Sequence, residues 1–119
     1  MSVLSKWRDK YVIWHANQFV VPVFAEGEVL REQLLFSGRV QKVGFRLEIE
    51  TLANRLGLVG FAQNLPDGRV FAEVQGTAEQ IEYLISCMKR LKRAKVTQVE
   101  RKIVDVVESD SVLKFVSRF

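Results

Sequence analysis

The order of patterned segments constrains this chain more than any other feature. Residues 29–37, VLREQLLFS, combine β-forming residues in loose alternation and stop at Gly38, which predicts a strand. Phe45, Ile49, Leu52, Ala53 and Leu56 then recur at helical spacing, and Gly57 supplies the residue type that commonly ends a helix in the left-handed conformation. LVGFAQN, the proline-led turn LPDG at 65–68 and RVFAEVQ, with Val70, Ala72 and Val74 sharing a face, predict a β-hairpin. Thr77 opens a second helix with Gln80 as its capping-box partner, and Ile81, Leu84, Ile85, Met88 and Leu91 form the apolar stripe. VTQVERKIVDVV and LKFVSRF read as two more strands joined by the polar ESDS. The order β, α, β, β, α, β plus a terminal strand implies an α+β protein, an antiparallel sheet with both helices on one face.

Residues 1–28 fit no part of that unit, so the chain divides into an N-terminal extension, 1–28, and a domain, 29–119. Leu4, Trp7, Tyr11 and Trp14 fall on one helical face, which predicts a short amphipathic helix within SVLSKWRDKYVIWHAN, followed by an extended FVVPVF. Such a helix packs on the domain, or on a second copy of it, or rests on a membrane surface, and the oligomeric state is left open. YVIWHANQFVVPVFA, 11–25, is shorter than the ~20 apolar residues of a spanning helix and is broken by HANQ. The single cysteine, Cys87, and single histidine, His15, form no zinc set, and both read as structural. A cytoplasmic protein without metal or cofactor is expected.

The connection between the first strand and first helix, FSGRVQKVGFR at 36–46, carries two glycines and the cations Arg39, Lys42 and Arg46. An arginine in the first helical turn opposes the positive end of the helix dipole, a penalty of about 0.3–1 kcal/mol unless an anion sits there too. A strand, a glycine-containing loop and a helix N-terminus together aim free backbone N–H groups at one point, which suits a phosphate. Arg46 would complete that cradle, gripping two oxygens with its guanidinium. Alternatively, Arg46 only pairs with Glu50 and the glycines only form a tight turn. Neither G-x-x-x-x-G-K-[ST] nor G-x-G-x-x-G is present, which argues against ATP or a dinucleotide.

SGRVQKVGFR followed by LANRLGLVGFAQNLPDGRVFAEVQG resembles the acylphosphatase family, over residues of about 30–119, with both signatures in order at the expected separation. The resemblance implies a ferredoxin-like α/β sandwich and metal-independent hydrolysis of an acyl phosphate to a carboxylate and inorganic phosphate. It implies that Arg46 binds the phosphoryl group and that Asn64 positions the attacking water. It further implies that the backbone amides of Gln41, Lys42, Val43, Gly44 and Phe45 cradle the phosphate, or a sulfate in its place. Such chemistry is coherent without a histidine or cysteine, because fixed N–H donors and an arginine stabilise the equatorial oxygens of phosphoryl transfer and an amide can orient water.

Three departures from the family pattern stand out. Lys42 replaces the usual glycine, where a positive φ would add strain of about 1–2 kcal/mol; a solvated lysine that the position tolerates is the favoured reading. Phe61 replaces the usual tryptophan, and residues 1–28 are additional. A rival function is a non-catalytic anion or nucleic-acid binding module, suggested by KRLKRAK at 89–95 and by the excess of 18 basic over 14 acidic residues. The same cations complement a helix C-terminus, however, and no aromatics interleave them, which argues against nucleic acid. A third reading is an acylphosphatase-like module of a larger carbamoyl-transfer protein.

Overall fold

The computed structural model describes residues 3–108 and 115–118. Its elements are α1 (Val3–Ala16), β1 (Val29–Arg39), α2 (Phe45–Leu56), β2 (Val59–Asn64), β3 (Val70–Thr77), α3 (Ala78–Lys89), β4 (Lys95–Val104) and β5 (Phe115–Arg118). The strands form one sheet in the order β4-β1-β3-β2-β5. Alternation decides which face is covered: Leu34 and Phe36 of β1, Ala62 of β2, and Val70, Ala72 and Val74 of β3 are buried against Ile49, Leu52 and Ala53 of α2 and Ile81, Leu84 and Met88 of α3. Both helices therefore pack on one face of the sheet, as the segment order implies.

The local signals act as expected. Thr77 caps α3 by accepting from the Gln80 amide at 3.3 Å, while the Gln80 side chain accepts from the Thr77 amide at 2.9 Å. Gly57 ends α2 at φ 77°, donating back to the Ala53 and Asn54 carbonyls. Of the cations in KRLKRAK only Lys89 lies inside α3, so the others run on beyond the last turn whose dipole they would complement.

One expectation is corrected. The sheet is mixed, not wholly antiparallel: β5 runs parallel to β2, with Gly60 opposite Phe115 and Gln63 opposite Arg118. A side-chain clamp holds it there, since the Asn54 amide donates to the Phe115 carbonyl at 3.1 Å and accepts from the Phe115 N–H at 2.7 Å. Residues 109–111 of the ESDS segment lie outside the described residues.

In α1 the aromatic side faces solvent: Trp7, Tyr11 and Trp14 are at least half exposed. The buried residues are Val12 and Ala16, with His15 half-buried, and the side chain of Leu4 lies outside the described ones. Two polar contacts join α1 to α2 beside these buried residues. His15 Nδ1 lies 2.8 Å from Glu48 Oε2, and Arg55 donates to the Ala16 carbonyl at 2.7 Å, satisfying an end of the helix that has no intrahelical donor. The chain then runs back across the domain, where Tyr83 donates to the Val20 carbonyl at 2.5 Å.

Candidate active site

The loop between β1 and α2 is fixed first at its ends. Phe36 of β1 and Phe45, the first residue of α2, are buried and meet edge to face with centroids 5.1 Å apart. Such a pair contributes about 0.5–1.5 kcal/mol beyond the area it buries, and here it also sets the distance residues 37–44 must span. A register shift between Ser37 and Gly38 interrupts the pairing with β4, which resumes with Gly38 opposite Val96 and Arg39 opposite Lys95 before the loop leaves the sheet.

Within the loop, Lys42 (φ 63°) and Gly44 (φ 74°) both adopt the left-handed conformation, and Lys42 is the only non-glycine residue with positive φ among the described residues. Two such residues on either side of Val43 bend the backbone sharply, the type of turn that makes concave groups of N–H donors. Gly44 is the N-cap of α2 and offers no side chain to the first turn, whose amides have no intrahelical acceptors. A Cβ at Gly44 would sit 2.4 Å from Val12 Cγ2, so the helix of the extension packs directly against the loop. Arg46 is the second residue of α2 and half-buried, while Arg39 and Lys42 are exposed.

Asn64 is the last residue of β2, exposed and opposite Val70 across the hairpin. The turn after it is held by Leu65 N–H on the Arg69 carbonyl at 2.9 Å and Gly68 N–H on the Leu65 carbonyl at 3.2 Å. Asp67 accepts from the Arg69 backbone and guanidinium at 3.1 and 2.8 Å, and this partner holds its carboxyl below the usual carboxylate range.

The two signature segments meet through Gln41. Its side-chain amide donates to the Leu65 carbonyl at 2.7 Å and to the Arg69 carbonyl at 2.9 Å, tying the loop to the turn next to Asn64. Sequence reasoning valued Gln41 for its backbone N–H and missed this use of its side chain. It also missed Glu48, which is fully buried in the first turn of α2, and Arg93, which reaches both Glu48 and the loop. A signal for Glu48 was present: three residues after Phe45 and four before Leu52, it falls on the apolar stripe of α2, where a carboxylate needs a partner. Among the described residues no group of three His, Cys, Asp or Glu side chains could hold a metal ion, and no helix is long and apolar enough to cross a membrane.

A family model described as acylphosphatase matches residues 32–116. The acylphosphatase of Methanocella arvoryzae is 39% identical over 74 residues, covering 57% of this chain and 84% of that protein. That of Thermococcus kodakarensis is 43% identical over 74 residues, 61% of this chain and 81% of its own length. The crystal structure of acylphosphatase from Bacillus subtilis superposes with a TM-score of 0.69 at 26% identity, covering 76% of this chain and 99% of that one. In both sequence and fold, this chain belongs to the acylphosphatase family, a family of hydrolases.

Proposed function

We propose that the protein is a cytoplasmic acylphosphatase whose domain, residues 29–119, hydrolyses small acyl phosphates. Water attacks phosphorus, the bond from phosphorus to the acyl oxygen breaks, and its electron pair departs with the carboxylate. Inorganic phosphate is the other product, and the proton of the attacking water is released to it or to solvent. In this reading the backbone amides of Gln41, Lys42, Val43, Gly44 and Phe45 receive the phosphoryl oxygens at the N-terminus of α2. Arg46 clamps the same group, and stabilises the charge that spreads over the equatorial oxygens in the transition state. Asn64 orients the water through its side-chain amide and takes no proton. A carboxylate is already a good leaving group, so no strong general acid is required.

The observation that supports this reading is the pair of Gln41 hydrogen bonds, which join the loop to the turn next to Asn64; in this reading the loop binds the phosphate and Asn64 orients the water. The test is release of phosphate from benzoyl phosphate by the purified protein in the presence of a chelator. Turnover is expected in the wild type, with kcat/KM lower by about 10²–10³-fold in Arg46→Ala and Asn64→Ala, the scale for losing one donor to a transition-state anion. A folded wild type that releases no phosphate above background would refute the enzymatic reading. Binding of a nucleic acid that weakens steeply with salt would then favour the non-catalytic module.

A further inference from the structure

We propose that Arg93 is a positioning residue of the phosphate loop, and that Glu48 and the N-terminal helix hold Arg93 in that role. The inference rests on the functional reading above and extends it to residues outside the two signature segments, SGRVQKVGFR and LANRLGLVGFAQNLPDGRVFAEVQG.

Glu48 lies in the first turn of α2 with a fully buried side chain. A buried carboxylate persists only when its oxygens are paired and hydrogen-bonded. Both are: Oε2 meets His15 Nδ1 at 2.8 Å, and Oε1 accepts from Arg93 Nη2. Arg93 comes from the connection between α3 and β4, and the same guanidinium donates from Nε to the Val43 carbonyl at 2.6 Å. The Tyr11 ring of α1 lies against the same guanidinium, its centroid 5.7 Å from the central carbon. The Arg93 fork is thus fixed by a carboxylate, a loop carbonyl and an aromatic face at once, an arrangement a single ammonium does not reproduce.

The consequence is local and geometric. The Val43 carbonyl and the Gly44 N–H belong to one planar trans peptide, so they point in opposite directions and move together. Gly44 has no Cβ to restrain rotation on its side of that peptide. Arg93 pins the carbonyl, and Val12 closes the space beside the Gly44 Cα. Together they set the direction of the Gly44 N–H, one of the donors the functional reading assigns to the phosphoryl oxygens. The extension supplies Val12, His15 and Tyr11 to this arrangement, which makes α1 part of the phosphate-binding device rather than a passive appendage.

The experiment compares wild type, Arg93→Lys, Arg93→Met and Lys92→Ala in the full chain. Inorganic phosphate binding is followed by calorimetry, benzoyl phosphate turnover by initial rates, folding by melting, and the Gly44 amide by its NMR resonance. Arg93→Lys keeps a cation beside Glu48, so it melts close to wild type. Its Gly44 resonance shifts, phosphate binds about 10-fold more weakly, and kcat falls about 10–100-fold with a smaller change in KM, as a displaced transition-state donor requires. Arg93→Met behaves likewise with a lower melting temperature. Lys92→Ala, which removes an exposed cation from the same connection, matches wild type throughout. An active wild type with folded Arg93 variants equal to it in phosphate affinity and kcat overturns this inference alone. A wild type that neither binds phosphate nor turns over overturns the functional reading and this inference with it.

Discussion

Lys42 gives the cleanest physical test of the loop, because its conformation separates two effects that substitution usually mixes. It is exposed and sits at φ 63°, where the Cβ of any L-residue crowds the following carbonyl oxygen at a penalty of roughly 1–2 kcal/mol. Glycine lacks that Cβ but has more freedom in the unfolded chain, which costs about 0.5–1 kcal/mol on folding. The difference leaves Lys42→Gly more stable than wild type by about 0–1.5 kcal/mol, with a midpoint near 0.7. For a domain of this size, that midpoint raises Tm by about 2–4 °C. Lys42→Ala removes the same ammonium but keeps the Cβ, so it melts with the wild type and below Lys42→Gly. The assay is thermal and urea denaturation of all three proteins in phosphate-free buffer, since a ligand of the folded state would shift the midpoints unequally. Phosphate titration then isolates the charge: any loss of affinity common to both variants belongs to the ammonium, and a difference between them belongs to the backbone. An exposed ammonium is screened, so the common loss stays within about threefold at ordinary salt. If Lys42→Ala proves more stable than Lys42→Gly, the backbone at this position is not strained to the extent argued and the reasoning fails.

Gln41→Leu removes two hydrogen bonds from the carbonyls of Leu65 and Arg69, each of which keeps a bond within its own turn, so the stability loss is about 1–2 kcal/mol. Turnover should fall further than stability suggests, by about 10–100-fold in kcat, because the loop and Asn64 lose their common register; a lowered Tm with kcat intact would assign the bridge to folding alone. Gly44→Ala meets Val12 Cγ2 at 2.4 Å and adopts an unfavourable φ, which together lower stability by about 2–4 kcal/mol in urea denaturation. Measured in a Val12→Ala background, the cost of Gly44→Ala should shrink to the backbone share, and an equal cost in both backgrounds would show that the clash with α1 contributes nothing.

The elements with a periodic signal were legible because each is decided by its own neighbours. Phe45, Ile49, Leu52, Ala53 and Leu56 mark α2, the Thr77–Gln80 box starts α3, and Val70, Ala72 and Val74 alternate in β3, all within a few residues. The direction of β5 was not legible, because it depends on Asn54 clamping Phe115 from 61 residues away and on the free edge that β2 offers. The docking side of α1 was not legible for a related reason. A helix with apolar residues on more than one side does not state which side docks, and the choice fell to His15 through Glu48, 33 residues on. KRLKRAK likewise looked like a uniform surface run because sequence cannot tell which cation turns inward. Arg93 does so through partners 45 and 50 residues away in sequence, Glu48 and Val43.

These long-range contacts share a pattern that bears on how the site is built. The loop from Val40 to Gly44 has little internal means of holding one shape: it contains two left-handed residues and ends in a glycine N-cap without a side-chain cap. Its restraints come from three separate parts of the fold. Gln41 reaches the β2–β3 turn, the Val43 carbonyl is held by Arg93 beyond α3, and Gly44 is covered by Val12 of α1. A loop of this kind gains directional N–H donors only when all three parts are in place, so its geometry is set by the completed fold rather than by local propensity. The motif in the sequence therefore marks where an anion site can form, while the residues that fix its shape lie outside the motif, except for Gln41.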